Sequence, residues 1–380
     1  MRFQNRVIIS LGSNQGDRLQ NIQACITYLH SHIATVVKVS ALYETPSWGF
    51  ASDDFYNCAV LLHTCKKAEE LLEEILQAEL VAGRVRNAAA TGYQARLIDI
   101  DIIAFNNEVI NSEALTVPHP RMQDRNFVLY PFHDINPAWE HPVLKKDIRE
   151  LIAETSDTSK PVKVCELENP IEKIDLSKYS YIAIEGNIGS GKTSLSGKIS
   201  EDFNGKLILE RFADNPFLPK FYAEPDRYAF SLETSFLADR YHQLSDDLAQ
   251  LDLFNDFVVA DYHIFKSLIF SKITLSEDEY VLYRKLFEII YKETPKPDFY
   301  VYLYQSTDTL LQQIKKRGRS YEQSIEASYL EKINDGYMDY IKSQKGSNII
   351  IIDVTDKDFV NSQEDYLWVL NQVQDAAMKA

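Results

Sequence analysis

The stretch "YIAIEGNIGSGKTSL", residues 181–195, carries an apolar strand into Gly186-x-x-x-x-Gly191-Lys192-Thr193 and on into helix-forming residues. Glycines let backbone N–H groups curl around phosphate oxygens, a helix N-terminus favours negative charge, Lys192 reaches terminal phosphates, and the Thr193 hydroxyl can hold Mg²⁺. The cradle comprises Gly186, Asn187, Ile188, Gly189, Ser190, Gly191, Lys192 and Thr193. Four more buried-type strands follow, "KLILE", "FVVAD", "DFYVYL" and "NIIIIDV", with helical segments between them. This alternation predicts a P-loop α/β fold with a five-stranded parallel sheet. Ligands of such sheets lie at the carboxyl ends of the strands, where Glu210, Asp261 and Asp353 stand. Each acid could equally cap a helix; Asp353 is left to that role.

Outward from this motif, the chain of 380 residues exceeds the usual ceiling for one core, so two domains are expected. Its 45% hydrophobic and 25% charged residues are those of an ordinary globular protein, and its net charge of -16 argues against nucleic acid as a partner. No apolar window reaches membrane-span length, and the opening "MRFQNRVIISLGSN" is too short in its apolar run for a signal peptide. A cytoplasmic location without membrane contact is expected. Cys25, Cys58, Cys65 and Cys165 form no CxxC pair and have no histidine at metal-finger spacing, so reduced structural thiols are predicted.

In the first half, strand-like runs ("RVIISLG", "ATVVKVSALYE", "YNCAVLLHT", "RLIDIDIIAF") alternate with amphipathic helices. In "AEELLEEILQAEL" the residues Leu71, Leu72, Ile75, Leu76 and Leu80 are expected to share a face. Strands returning between so few helices suggest an α+β sandwich. In "RLIDIDII", residues 96–103, Asp99 and Asp101 point to one side of a strand while Ile98, Ile100 and Ile102 point to the other. Two adjacent carboxylates repel unless a cation lies between them, and their oxygen ligands suit Mg²⁺; a solvated strand face is the plain alternative. The expected boundaries are a domain over 1–168, a linker over 169–178 and a domain over 179–380.

The phosphate loop stands among "ERFADNPFLPKFYAEPDRYAF", "SFLADRY" and "KKRGRSYEQSI". Together they resemble the deoxyribonucleoside kinase family over residues 179–380. The resemblance implies ATP and Mg²⁺ as cofactors and Glu210 as the general base for a sugar 5'-hydroxyl. It also implies Tyr222 and Glu322 on the 3'-hydroxyl, Arg240 beside base and phosphates, Arg317 and Arg319 as a lid, and Asp261 with Thr193 at the metal. Kinases of this type are commonly dimeric, which implies a homodimer through this domain. Two positions depart from the family. Its acid-Arg-Ser triplet is Asp261-Tyr262-His263 here, so Lys266 or Arg240 must supply the missing charge. Its base-reading glutamine is Glu233. An ionised glutamate only accepts hydrogen bonds, and guanine alone among common bases offers adjacent imino and amino hydrogens. With the small Ser267 nearby, deoxyguanosine is the expected substrate.

Around "RLIDIDII" lie "SLGSNQGDR", "ALYETPSWGF", "DFYNCAV", "GRVR" and "LTVPHPRMQDRNFVL". In this order they resemble 6-hydroxymethyl-7,8-dihydropterin pyrophosphokinase across residues 5 to about 165. The resemblance implies a ferredoxin-like α+β fold, with Asp99 and Asp101 holding two Mg²⁺ ions between ATP and the pterin. It sets the pterin between Phe55 and Phe127, with Asn57 and the Thr45-Pro46 backbone on its edge. Arg84, Arg86, Arg96, His119 and Arg125 become phosphate or nucleotide contacts, with Arg84 and Arg96 catalytic. Tyr93 replaces an Arg-Trp pair and Ala114 an arginine of the family. The expected enzyme transfers pyrophosphate to the dihydropterin and phosphate to a purine deoxynucleoside. The alternatives are an N-terminal sensing module and a C-terminal kinase of nucleoside monophosphates or other small alcohols.

Overall fold

The computed structural model describes residues 3–47, 53–82, 97–211, 215–249, 254–319, 322–344 and 348–379. The chain divides into two compact units, Met1–Ile174 with Asn361–Leu367, and Asp175–Val360 with Trp368–Ala380. Among the described residues no helix is long and apolar enough to cross a membrane. All four cysteines are free thiols.

The first unit contains β1 (Asn5–Ser13), β2 (Thr35–Val39), β3 (Leu42–Thr45), β4 (Phe55–Thr64), β5 (Asp99–Phe105), the short pair β6 (Ile110–Asn111) and β7 (Thr116–Val117), and β8 (Val162–Cys165). Its antiparallel sheet runs β5-β1-β4-β3-β8, with β2 also on β4. Helices α1 (Arg18–Tyr28) and α2 (Ala68–Val81) join Val7, Ile9 and Leu11 in one core, while α3 (Asn126–Ile135) and α4 (Ile148–Glu154) pack with Ile8 and Ala59 in another. Successive β1 side chains thus enter opposite layers. The predicted face of α2 needs one correction: Leu71 and Ile75 are buried but Leu80 is 49% exposed. The inward stripe runs Leu71, Ile75, Ala78 and Glu79, and Leu80, five residues past Ile75, is turned about 140° away from it. Buried Glu79 uses Oε1 to accept the Ile100 N–H at 3.1 Å, which satisfies a donor on the edge strand β5.

The second unit contains β9 (Tyr181–Gly186), β10 (Gly205–Ile208), β11 (Phe257–Ala260), β12 (Phe299–Tyr304) and β13 (Ile349–Asp353) in the parallel order β10-β11-β9-β12-β13. Its helices are α5 (Lys192–Asp202), α6 (Leu218–Ala223), α7 (Pro225–Ala249), α8 (Lys266–Thr274), α9 (Glu277–Glu293), α10 (Thr307–Arg317) and α11 (Ala327–Ser343); α12 (Gln363–Lys379) follows. The five predicted strands are all present. Every residue of β9 is buried, as a central strand covered on both faces requires. The chain turns from one flank of β9 to the other after β11, so a switch-point crevice opens at the carboxyl end of β9.

Candidate active sites

The phosphate loop leaves β9 at that crevice. A Cβ on Gly186 would lie 2.8 Å from the Leu303 carbonyl, and Gly191, at φ +84°, caps α5 from the left-handed region. Both positions therefore need glycine. Asn187 is buried and holds the loop from within. Its Nδ2 donates to the Leu330 carbonyl and to Asn334 Oδ1, both at 2.8 Å, and its Oδ1 accepts the Ile188 N–H at 2.7 Å. Asn334 Oδ1 also accepts from Tyr302 Oη at 3.0 Å, and its Nδ2 donates to the Gln305 carbonyl at 3.2 Å. The preceding Glu185 is fully buried and accepts from the His263 N–H at 2.7 Å and Tyr337 Oη at 2.9 Å, with burial raising its pKa.

Lys192 Nζ rests 3.1 Å from the Asn187 carbonyl. Burial and the charge of Lys266 pull its pKa down to about 8, against the opposing charges of Glu185, Asp261 and Glu210, so a phosphate arriving at the loop would favour its charged form. Thr193 Oγ1 donates to Asp261 Oδ2 at 2.5 Å, and Asp261 Oδ1 accepts the Glu210 N–H at 2.8 Å. Asp353 instead accepts from the Thr355 N–H and hydroxyl, closing the turn after β13.

Glu210 is the electrostatic centre. Arg240 from α7 donates Nε and Nη2 to its Oε1 at 2.9 and 2.6 Å, and Lys266 from α8 donates to Oε2 at 2.6 Å. Burial alone would raise this carboxyl, but the two cations outweigh it and hold Glu210 well below the usual carboxylate range. Both residues weighed as substitutes for the missing triplet arginine are thus on the carboxylate. At its other end Arg240 donates Nη1 to Ser267 Oγ at 2.6 Å. Glu322, 5% exposed, accepts from Arg317 and, at 3.2 Å, from Arg319.

One cleft is lined by Ile188, Gly189, Lys192, Thr193, Glu210, Tyr222, Glu233, Arg240, Asp261, Lys266, Arg317, Arg319 and Glu322. The candidate side chains named for catalysis, substrate and metal outside the loop in this half therefore line one cleft, whereas Ser267 is fully buried behind it on Arg240. The sequence reading did not select the apolar and aromatic lining, Leu218, Phe221, Leu232, Phe236, Phe270 and Tyr329; in sequence these are ordinary helix residues. It also missed Asn334, whose only signal is its position one turn from Leu330 and Tyr337 on α11.

In the first unit the strand register builds a row. Gly12 on β1 lies opposite both Asn57 on β4 and Asp99 on β5, and Ser10 lies opposite Asp101. Residues directly opposite share a face, so Asn57, Asp99 and Asp101 project from one side, with Phe55 two residues before Asn57 on the same side. A Cβ at Gly12 would come 3.1 Å from Asn57 Oδ1; glycine leaves the floor between the amide and the carboxylate open. Asn57 Nδ2 donates to Thr45 Oγ1 at 2.7 Å. Pro46 is exposed, Phe127 is half-buried, and the Arg125 guanidinium sits 5.4 Å from the Phe127 ring centre. The His119 N–H donates to the Ile103 carbonyl at 2.9 Å. Burial, then the charges of Arg125 and Arg121, push the His119 imidazole down to about 4, against an opposing effect of Asp99. Arg121 is thus an additional cation of this group that the sequence reading did not choose. Arg84, Arg86, Arg96 and Tyr93 lie outside the described residues. Asp99 with Asp101, and Asp261 with Thr193, are sets of hard oxygen donors that fit Mg²⁺.

A phosphate loop at a sheet switch point, with a carboxylate held by cations across the cleft, defines a P-loop phosphotransferase. The deoxynucleoside kinase family model matches residues 182–378, and that for 7,8-dihydro-6-hydroxymethylpterin-pyrophosphokinase matches residues 8–137. Deoxyguanosine kinase of Bacillus subtilis (strain 168) is 40% identical over 190 residues, 49% of this chain and 92% of its own length. The 2-amino-4-hydroxy-6-hydroxymethyldihydropteridine pyrophosphokinase of Aquifex aeolicus (strain VF5) is 36% identical over 156 residues, 41% of this chain and 94% of its own. A solved deoxyadenosine kinase from M.mycoides with bound dATP shares 26% identity over 50% of this chain and 97% of that one, with a TM-score of 0.44. The chain belongs to the deoxynucleoside kinase family in its second unit and to the pterin pyrophosphokinase family in its first.

Proposed function

We propose that the protein is a bifunctional ATP-dependent transferase that passes pyrophosphate from ATP to 6-hydroxymethyl-7,8-dihydropterin and the ATP γ-phosphate to the 5'-hydroxyl of a purine deoxynucleoside, deoxyguanosine first. The single observation that carries the kinase reading is the Arg240–Glu210–Lys266 cluster across the cleft from Lys192 and Thr193. Phosphoryl transfer needs a group to accept the hydroxyl proton and positive charge around the phosphoryl oxygens; Glu210 takes the first role, and Lys192, Arg317 and Arg319 the second. Tyr222 and Glu322 take the sugar 3'-hydroxyl. Glu233, 4% exposed and lining the same cleft, reads the base.

In the first unit Asp99 and Asp101 hold Mg²⁺, which when bound neutralises phosphate charge, while Phe55, Phe127, Asn57 and Thr45 receive the pterin. Arg125 and His119 contact the nucleotide. The antiparallel sheet supports a ferredoxin-like α+β reading, with domains over 1–168 and 179–380 joined by 169–178, and a homodimer through the kinase half in the cytoplasm. Product analysis tests both activities: with dihydropterin the full chain releases AMP, and with deoxyguanosine it releases ADP. Absence of AMP would reduce the first unit to a binding module, and absence of ADP with every deoxynucleoside would remove the kinase assignment.

A further inference from the structure

Glu233 differs from the other acids of the cleft in its hydrogen bonding. Its carboxyl receives one contact, from Thr274 Oγ1 at 3.0 Å to Oε1, and the second oxygen makes no hydrogen bond among the described residues. Thr274 Oγ1 is also 3.0 Å from the Phe270 carbonyl. The single hydroxyl proton can serve either acceptor, so Thr274 donates to an ionised Glu233 or, while donating to Phe270, accepts from a protonated one. Tyr283 Oη donates to the Glu233 backbone carbonyl at 3.2 Å and leaves the carboxyl alone. The charged groups nearby are engaged elsewhere. Arg240, on the same helix, gives its donors to Glu210 and Ser267, and Lys266 of α8 is on Glu210. Glu210 itself repels a charge here; among the described residues α9, α6 and α11 bring the phenols Tyr283, Tyr222 and Tyr329, and Arg317, Arg319 and Glu322, paired with one another, line the same cleft. Both protonation forms of Glu233 are thus accommodated by the same surroundings.

We propose that Glu233 reads purines in two protonation forms: the carboxylate accepts from the imino and amino N–H groups of guanine, and the carboxylic acid donates to ring N1 and accepts from the exocyclic amino group of adenine, so that acidification moves the kinase from deoxyguanosine toward deoxyadenosine. This rests on the reading of Glu233 as the base-facing residue. Burial pushes the carboxyl up to about 7 against the opposing charges of Arg240 and Lys266, which puts the exchange in the working range of the enzyme. The purines themselves carry no titration at these edges between pH 5.5 and 8.5.

The experiment measures kcat/KM of the full chain for deoxyguanosine and deoxyadenosine across that range. Effects of Glu210 and Lys192 are common to both substrates and cancel in the ratio. The ratio is expected to fall as pH falls, approaching roughly tenfold per unit because it follows the ionised-to-protonated balance of one group. Glu233→Gln, a permanently neutral donor and acceptor, is expected to lose the deoxyguanosine preference and to show a flat ratio. A wild-type ratio constant within about twofold, beside a variant that has lost the preference, overturns the switch and keeps base reading. A variant that keeps both preference and pH response overturns the base-reading role itself.

Discussion

Arg240 grips a single oxygen of Glu210 with two donors, Nε at 2.9 Å and Nη2 at 2.6 Å, leaving the other oxygen to Lys266. A carboxylate so held stays ionised across the neutral and mildly acidic range, but its pull on a further proton is weak. Phosphate oxygens arriving at Lys192 offer Lys266 a competing partner, and its withdrawal would return basicity to Glu210 when substrate is in place.

Glu210→Gln is accordingly expected to lower the kinase kcat by about 10² to 10⁴ while ATP binding survives, since the amide keeps shape but takes no proton. Steady-state kinetics and ATP titration check both. Lys266→Met should lower kcat in the same assay without abolishing nucleoside binding. A near wild-type rate in Glu210→Gln would leave Glu210 a structural anchor for Arg240.

Asp99→Ala is expected to end AMP formation and leave ADP formation intact. One carboxylate of the Asn57–Gly12–Asp99 row disappears, and among the described residues paired in β1, β4 and β5 the other acid is Asp101. Quantifying AMP and ADP from one preparation checks it; undiminished AMP at millimolar Mg²⁺ would refute the metal-holding role.

Asn334→Leu is expected to strip the phosphate loop of its support. Asn187 Nδ2 keeps only the Leu330 carbonyl, while Tyr302 Oη and the Gln305 carbonyl lose a buried partner, and each group left unsatisfied costs roughly 1–3 kcal/mol. The melting transition of the second unit should drop, and the KM for ATP should rise more than kcat falls. Unchanged stability and ATP affinity would show Asn187 held adequately by Leu330 alone.

Glu233 also makes a prediction about stability. Its folded pKa, about 7, lies above the ordinary 4.5, so the folded state binds the proton more tightly than the unfolded chain. Stability from this residue is therefore present below pH 4.5 and lost as pH rises through 7. Glu233→Gln lacks that slope, so the variant should gain on the wild type between pH 5 and 7.5 by a few kcal/mol, on the order of 1.4 per pH unit. Denaturant titrations of the full chain at several pH values measure it; parallel stability curves would refute the burial-raised carboxyl of Glu233.

The phosphate loop, the five parallel strands and the common face of Asp99 and Asp101 were legible in the sequence because each depends on neighbours a few residues apart, where strand alternation and glycine freedom act. Packing across the chain decided the rest. Glu210, just past β10, meets Arg240 of α7 and Lys266 of α8 across 30 and 56 positions. Asn187 meets Asn334 across 147 positions. Gly12 becomes the gap between Asn57 and Asp99 through the register of three strands. Leu80 is outside and Glu79 inside because Leu71, Ile75 and Ala78 set the phase of α2, and the Ile100 N–H of the edge strand meets the carboxylate that this phase turns inward. Local periodicity assigns a residue to a face, but the identity of what it meets there is set by burial energies that exist only once distant elements have packed together.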